Sequence, residues 1–223
     1  MRKITLSQKF VVILIVILGT ITSSAQIKNP FDVRFQTTVR GDLTMISNNI
    51  VNRSPNPNTA YNTTGNSSIY NDQTNMQFID IDGTTQTFNS SSANLTIADA
   101  TCSNIVHAGL YWSATYRYNV GNDPSSGRAT DWNQVKFRVP GGAYVDVIAD
   151  EVLYNGFADA NQTNVTHGPY GCFADVTSLI AGLANPNGTY FVGNIRVSTN
   201  GSSSGSFSIP GGVAGGWTLV IVY

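Results

Sequence analysis

The sequence contains little charge and few strong helix formers. Asp, Glu, Lys and Arg together account for 11% of the 223 residues, against about 25% in a typical soluble domain. Glu151 is the only glutamate, so long unbranched side chains that favour helices are scarce. Asn, Ser, Thr and Gly are abundant in their place. This composition argues against extensive helix and is typical of extracellular β-proteins.

An excess of positive charge is also missing after the amino terminus. Without Arg2, Lys3 and Lys9, nine basic residues remain against 13 acidic ones, which gives a net charge of −4. Proteins that bind nucleic acid use clustered Lys and Arg side chains to neutralise phosphates. We therefore expect no nucleic-acid partner.

Common catalytic and metal-binding motifs are missing as well. Neither His107 nor His167 belongs to a His-Glu-x-x-His pattern, and the two cysteines do not form a Cys-x-x-Cys pair. Both histidines are therefore predicted to be structural or surface residues, and we expect no enzymatic activity. A hydrolase stays open as an alternative only if the fold brings carboxylates or a Ser–His pair together.

The amino terminus carries the pattern of an export signal. The three basic residues flank or precede an unbroken apolar run at 10–18, and small residues follow it. The run is shorter than the roughly 20 residues that a membrane-spanning helix needs, and its order is that of a signal peptide. We predict a signal peptide over 1–25, cleaved between Ala25 and Gln26, and an exported domain over 26–223.

Export affects the interpretation of Cys102 and Cys172, the only cysteines. A disulfide persists in an oxidising compartment, so a bond between the two is predicted. The alternative is two separate buried thiols that pack as small apolar side chains.

Apolar and polar residues alternate with a period of two along most of the chain, which indicates strands. The clearest strand covers Val106–Ala114. Another runs through Val135 and Val139 to the turn at Pro140, and Tyr144–Leu153 is predicted to return as its hairpin partner. A further apolar strand, Trp217–Tyr223, ends the sequence without a turn, so we expect the protein to continue beyond it.

These elements predict an all-β fold, an antiparallel, jelly-roll-like β-sandwich. One short helix is expected from residues 175–180, capped by Asp175 or Thr177 and ended by Gly182. The large apolar side chains of the alternating strands should form the core, principally Leu110, Trp112, Phe137 and Trp217.

Two kinds of ligand are suggested by loop residues. Asp80 and Asp82 lie on the same side of an extended segment, and Ca²⁺ prefers such oxygen ligands; the alternative is ordinary turn aspartates. Further carboxylates for calcium could come from Asp99, Asp123, Asp131 or Asp159. Aromatic residues in or beside loops could instead stack on sugars, namely Tyr116, Tyr118, Trp132, Tyr154 and Tyr170.

Six segments follow one another in an order that resembles a known family. They are Gly41–Asn49, Ile79–Asp82 with Thr87–Ala93, Ala108–Trp112, Val135–Gly142, Phe173–Thr177 and Gly215–Tyr223. Together they resemble the N-terminal β-sandwich domain of large secreted surface proteins of the Bacteroidota type. Many of those proteins are adhesin-like or gliding-motility-associated, carry immunoglobulin-like repeats and leave the cell by type IX secretion.

The resemblance implies a non-catalytic structural or adhesive module, located at the bacterial cell surface or secreted. Its partners would be the other domains of the same chain, and surface glycans or outer-membrane proteins. The family brings no established catalytic residues, so none is assigned here. We expect no cofactor, with calcium left open at Asp80 and Asp82. The alternative interpretation is a carbohydrate-binding module of an extracellular enzyme, assisted by calcium.

Overall fold

Strands dominate the computed structural model, which describes residues 32–53, 76–116, 130–155, 169–199 and 213–223. The predicted signal peptide and its cleavage site at Ala25 and Gln26 lie outside these ranges. In chain order the strands are β1 (Leu43–Asn49), β2 (Val51–Asn52), β3 (Gln77–Phe78), β4 (Ser90–Leu95), β5 (His107–Thr115), β6 (Gln134–Arg138), β7 (Val145–Ile148), β8 (Glu151–Asn155), β9 (Pro169–Asp175), β10 (Gly188–Gly193) and β11 (Gly215–Val222).

The strands form an antiparallel β-sandwich. A five-stranded sheet has the order β1-β11-β5-β9-β8, a four-stranded sheet has the order β4-β10-β6-β7, and β2 pairs with β3. The pairs β1–β11, β4–β10, β5–β9 and β6–β7 are nested around the turn between β6 and β7. One long hairpin that folds over into two sheets produces this order, which is the jelly-roll arrangement; β8 is added at an edge.

The core lies between the two sheets. In β5 the side chains of Ala108, Leu110, Trp112 and Ala114 face the core and are buried, whereas Tyr111 and Ser113, which alternate with them, are more exposed. His107 and Gly109 are also buried, on the outer face. All four residues predicted for the core, Leu110, Trp112, Phe137 and Trp217, are buried. Alternation along each strand therefore directs one set of side chains into the core and the other set to the outer face of its sheet.

The predicted hairpin partner of β6 is shorter than expected. Only Val145–Ile148 pairs with β6, whereas Glu151–Asn155 joins β9 in the other sheet. The change of sheet occurs at two consecutive amides: Ala149 N–H donates to Asn133 O at 2.9 Å, and Asp150 N–H donates to Phe173 O at 2.9 Å. The prediction of one continuous strand over 144–153 was wrong because the chain passes from one sheet to the other at Ala149 and Asp150, the only two residues between β7 and β8.

The short helix predicted near residue 175 is present as α1 (Thr177–Ile180). Its N-cap is Val176, with no side-chain capping hydrogen bond, so the prediction that Asp175 or Thr177 caps the helix was wrong. Asp175 Oδ1 instead accepts a hydrogen bond from Thr177 N–H at 2.8 Å in the turn that leads into the helix. Within the described ranges, no helix is long and apolar enough to cross a bilayer.

The structure does not form the predicted disulfide between Cys102 and Cys172. Cys172 is fully buried opposite Trp112 in the centre of the five-stranded sheet, whereas Cys102 is exposed in a turn before β5. The stretch of β5 from His107 to Trp112 alone spans about 17 Å. Both cysteines are free thiols; one lies in the turn before β5 and the other is paired with Trp112 within the sheet.

Candidate binding cleft

A cleft of 650 Å³ lies on the outer face of the five-stranded sheet. We refer to it as the outer cleft. A hollow of 270 Å³ adjoins it and shares four of its lining residues, Ser113, Gly216, Trp217 and Thr218. Side chains and backbone of β1, β5, β9 and β11 line the outer cleft, and the hollow extends it to Leu153 on β8.

Strand register explains how the outer cleft is built. Trp112 and Trp217 are paired and buried, so their neighbours Ser113 and Gly216 point outward. Gly216 is paired with Asn49 on one side and with Ser113 on the other, and Ser113 is paired with Gly171. A row of small residues therefore crosses β1, β11, β5 and β9.

The glycines of this row leave the surface of the sheet without side chains. A Cβ atom added to Gly171 would have only one neighbour within 4 Å, Leu153 Cβ at 3.9 Å. That position is thus open to solvent above the sheet. At Gly216 an added Cβ would lie 2.6 Å from Asn48 O, so close approach of β1 and β11 requires glycine there.

The polar side chains around the outer cleft retain their hydrogen-bonding capacity. The hydroxyls of Ser47, Ser113, Thr115 and Thr218 and the side-chain amide of Asn49 form no hydrogen bond within the structure as described. A hydroxyl can donate and accept, and an amide offers two donors and an acceptor. The cleft therefore presents several uncommitted hydrogen-bonding groups beside one another.

Charge is absent from the lining of the outer cleft. Among the described residues that line it there is no Asp, Glu, His, Lys, Arg or Cys. The only titratable side chain is Tyr170, whose buried hydroxyl donates to Arg196 O at 2.8 Å. Such a surface offers no general acid or base with a pKa near neutrality, and it can bind an uncharged polar ligand without leaving a buried charge unpaired.

The opposite end of the same outer face is covered by the segment before β1. The Phe35 ring stacks on His107 with a centroid distance of 4.5 Å. Arg34 donates to both carboxylate oxygens of Glu151, at 3.0 and 2.9 Å, and its guanidinium lies 5.4 Å from the Phe173 ring centroid. This segment leaves the outer cleft open.

The two histidines do not identify a catalytic site. His107 is 7% exposed under Phe35, and its Nδ1 is 3.7 Å from Asp175 Oδ2. His167 lies outside the described residues. His107 is therefore a packed residue of the sheet face, as the sequence predicted.

The predicted calcium ligands Asp80 and Asp82 lie beside β4, in the other sheet. Ser90 Oγ donates to Asp80 Oδ1 at 2.9 Å. Asp82 accepts hydrogen bonds from Thr84 N–H and from the Thr87 hydroxyl, each at 3.0 Å. The Tyr144 hydroxyl donates to Asp82 as well. Protein donors thus surround this carboxylate.

The pKa values of this cluster follow from the hydrogen bonds. Partial burial raises the pKa of Asp82, but hydrogen bonds from Tyr144, Thr84 and Thr87 outweigh it and hold that pKa below the ordinary value. Burial, and then the hydrogen bond to Asp82, raise the pKa of Tyr144 well above its usual value. Nowhere in the described part of the chain do three or more His, Cys, Asp or Glu side chains gather as a metal site.

The other candidate ligands have separate positions. Asp131 pairs with Arg196 through two hydrogen bonds of 2.9 and 2.6 Å. Asp99 lies in a turn with a positive φ of 51°. Asp123 and Asp159 lie outside the described residues.

The loop aromatics proposed for sugar stacking mostly support the core. Trp132 and Tyr170 meet edge to face at 5.2 Å, and Tyr170 is buried. Tyr116 packs against the core, and Tyr154 is 37% exposed on the edge strand β8. Tyr118 lies outside the described residues. An aromatic residue that the sequence did not single out, Tyr111, borders the hollow beside the outer cleft.

Of the residues that line the outer cleft, only Tyr170 and Trp217 were assigned a role from the sequence, in sugar stacking and in the core. Ser113 and Thr218 are isolated polar residues in apolar strands, and only the pairing of β5 with β11 brings them together. The sequence marks them only as polar residues at outward positions of a central strand. Comparisons with protein-family models, characterised proteins and solved structures give no match to this chain.

Proposed function

We propose that this chain is a non-catalytic structural and adhesive module of a large secreted protein at a bacterial cell surface. The outer cleft is the adhesive surface in this proposal, and the sandwich is the rigid support that holds it. The predicted signal peptide and the six segments shared with Bacteroidota-type surface proteins support the location. The enclosed core beneath the cleft supports the structural role.

One observation carries the proposal: the outer cleft is open, polar and uncharged. Because its lining has no carboxylate, histidine or thiol among the described residues, the groups that usually transfer protons or activate a serine or threonine hydroxyl for attack are missing there. Uncommitted hydroxyl and amide groups favour reversible contact with a partner. A binding surface of this kind needs no cofactor.

The alternative, a calcium-assisted carbohydrate-binding module of an extracellular enzyme, places the metal at Asp80 and Asp82. These residues lie beside β4, whereas the outer cleft belongs to the five-stranded sheet. Calcium at these two residues would therefore not contact a ligand in the cleft. The geometry favours a binding role that does not depend on the metal.

Location and adhesion can be tested in the cells that produce the protein. We expect N-terminal sequencing of the exported protein to begin at Gln26 and antibodies against it to label intact cells. Deletion of the gene should reduce attachment to a surface under flow, and reintroduction of the gene should restore it. A cytoplasmic protein, or unchanged attachment after deletion, would contradict the proposal.

A further inference from the structure

We infer that the outer cleft binds a neutral oligosaccharide, and that it does so without a metal ion. This inference rests on the proposed function and names its ligand. Three observations support it: the length of the cleft, the polar groups that line it, and the backbone groups of β5 and β11, which are already hydrogen-bonded within the sheet.

The length of the cleft suits a chain of sugars. Together with the adjoining hollow, the cleft follows a row of small residues from Asn49 on β1 to Gly171 on β9, and Leu153 on β8 borders the far end of the hollow. Five strands separated by about 4.8 Å span about 19 Å. The outer cleft and the hollow together are therefore long enough for a short oligosaccharide rather than a single sugar.

The chemistry of the lining matches that of sugar hydroxyls. Ser47, Asn49, Ser113 and Thr218 offer donors and acceptors that are not used within the protein. Tyr111 adds an aromatic side chain at the border, with its ring 5.0 Å from that of Phe173. A few placed polar groups beside an aromatic surface are typical of sites for uncharged ligands, and a pyranose ring presents both hydroxyl edges and an apolar face.

The sheet offers little to an extended peptide at this position. Peptides that bind to sheets usually add a strand at an edge and use free backbone groups. At the cleft, β11 is paired on both sides, with β1 and β5, and β5 is paired with β11 and β9. Their backbone groups are already used in the ladders. Along β11 and β5, recognition must therefore come from side chains, which suits a glycan better; only the outer side of the edge strand β1 keeps backbone groups outside the ladder of this sheet.

Acidic glycans are disfavoured by the same lining. Sulfate and carboxylate groups are usually bound by Arg or Lys side chains, and none of the described residues in the cleft is basic. A much larger side chain placed on this row of small residues should occupy the space of the ligand and weaken its binding. Ser113 is the natural position for that test, because it is exposed and lines both the cleft and the adjoining hollow.

A glycan array tests the inference with the purified exported protein. We expect the protein to bind neutral oligosaccharides, with equal strength in the presence and absence of EDTA. Ser113→Glu should weaken the binding at least tenfold. Ser178→Glu is the matched control, since Ser178 is exposed on α1 near the opposite end of the sheet, and it should bind as the wild type does.

A milder variant guards against misfolding of Ser113→Glu. Thr218→Val keeps a β-branched side chain on the strand and removes only the hydroxyl. Loss of one neutral hydrogen bond should weaken binding about two- to tenfold. The melting temperature of the variant should equal that of the wild type. Affinity and melting temperature are measured on the same samples.

Four results would overturn the inference: binding to no neutral glycan, binding only to acidic glycans, unchanged affinity in both cleft variants, or loss of binding in EDTA. Binding of an unglycosylated peptide at the cleft in place of a glycan would overturn it too. If cells that carry the protein still attach under flow while the array is negative, the adhesive function stands and the assignment of the ligand fails.

Discussion

The hydrogen bond between Trp217 and Ser91 joins the two sheets through the core. Trp217 Nε1 donates to Ser91 Oγ at 2.9 Å; the indole belongs to β11 and the hydroxyl to β4. Both residues are buried, at 3% and 0% exposure. Ser91→Ala would leave the indole N–H without its partner, at a cost of about 2 kcal/mol. For a domain of this size the melting temperature should fall by about 4–8 °C.

Differential scanning calorimetry and urea unfolding measure this loss, and a double-mutant cycle identifies its cause. In a Trp217→Phe background there is no indole N–H that could lose its hydrogen-bond partner. Ser91→Ala should therefore lower the unfolding free energy by less than about 0.5 kcal/mol there. Ser92→Ala is the matched control, because Ser92 is on the same strand with its side chain toward the outer face. An equal cost of Ser91→Ala in both backgrounds would refute the reasoning.

Two further predictions concern pH and packing. Hydrogen bonds from Arg196 lower the pKa of Asp131. The stability that they add is therefore present above the unfolded pKa of about 3.9 and disappears as the pH falls below it. Asp131→Asn should reduce the pH dependence of the urea midpoint between pH 5 and pH 2, and the unfolding free energy should change by less than about 1 kcal/mol because the carboxylate is 46% exposed. Gly193→Ala should cost about 2–3 kcal/mol, since its Cβ would lie 2.7 Å from Asn89 O. Gly182→Ala, with no neighbour within 4 Å, should change the unfolding free energy by less than about 0.5 kcal/mol; equal effects of the two glycine variants would contradict this account of packing.

Much of the sandwich could be predicted from the period of its strands. Leu110 and Trp112 alternate with outward residues, and burial between two sheets requires that pattern. The scarcity of helix formers likewise agrees with one helix, α1, in the described chain. Because these properties depend on residues close together in the chain, they can be predicted from a single sequence.

Features that depend on which strands meet could not be predicted in the same way. The corner at Ala149 and Asp150 contains no glycine or proline that would indicate a turn, and only these two residues separate β7 from β8. The predicted bond between Cys102 and Cys172 failed because the sequence does not show which strands pair. Only the pairing of β9 with β5 places Cys172 opposite Trp112 in the core, while Cys102 is exposed in a turn.

The outer cleft shows the same limit most clearly. Asn49, Ser113, Gly171 and Gly216 are far apart in sequence, and each alone is an ordinary residue of a β-protein. Their juxtaposition depends on the register of four strands. The candidate calcium ligands were easier to notice because Asp80 and Asp82 are neighbours in sequence, although the fold places them on the other sheet.

Chemical-shift mapping with a neutral oligosaccharide that binds on the array tests the central claim most directly. The ¹H–¹⁵N spectrum of the exported protein is recorded with increasing ligand. We predict that the largest shifts fall on Ser113, Gly216 and Thr218 and that Ser178 and Asp82 do not move. Shifts concentrated around Asp80 and Asp82 beside β4, with none in the outer cleft, would contradict the account.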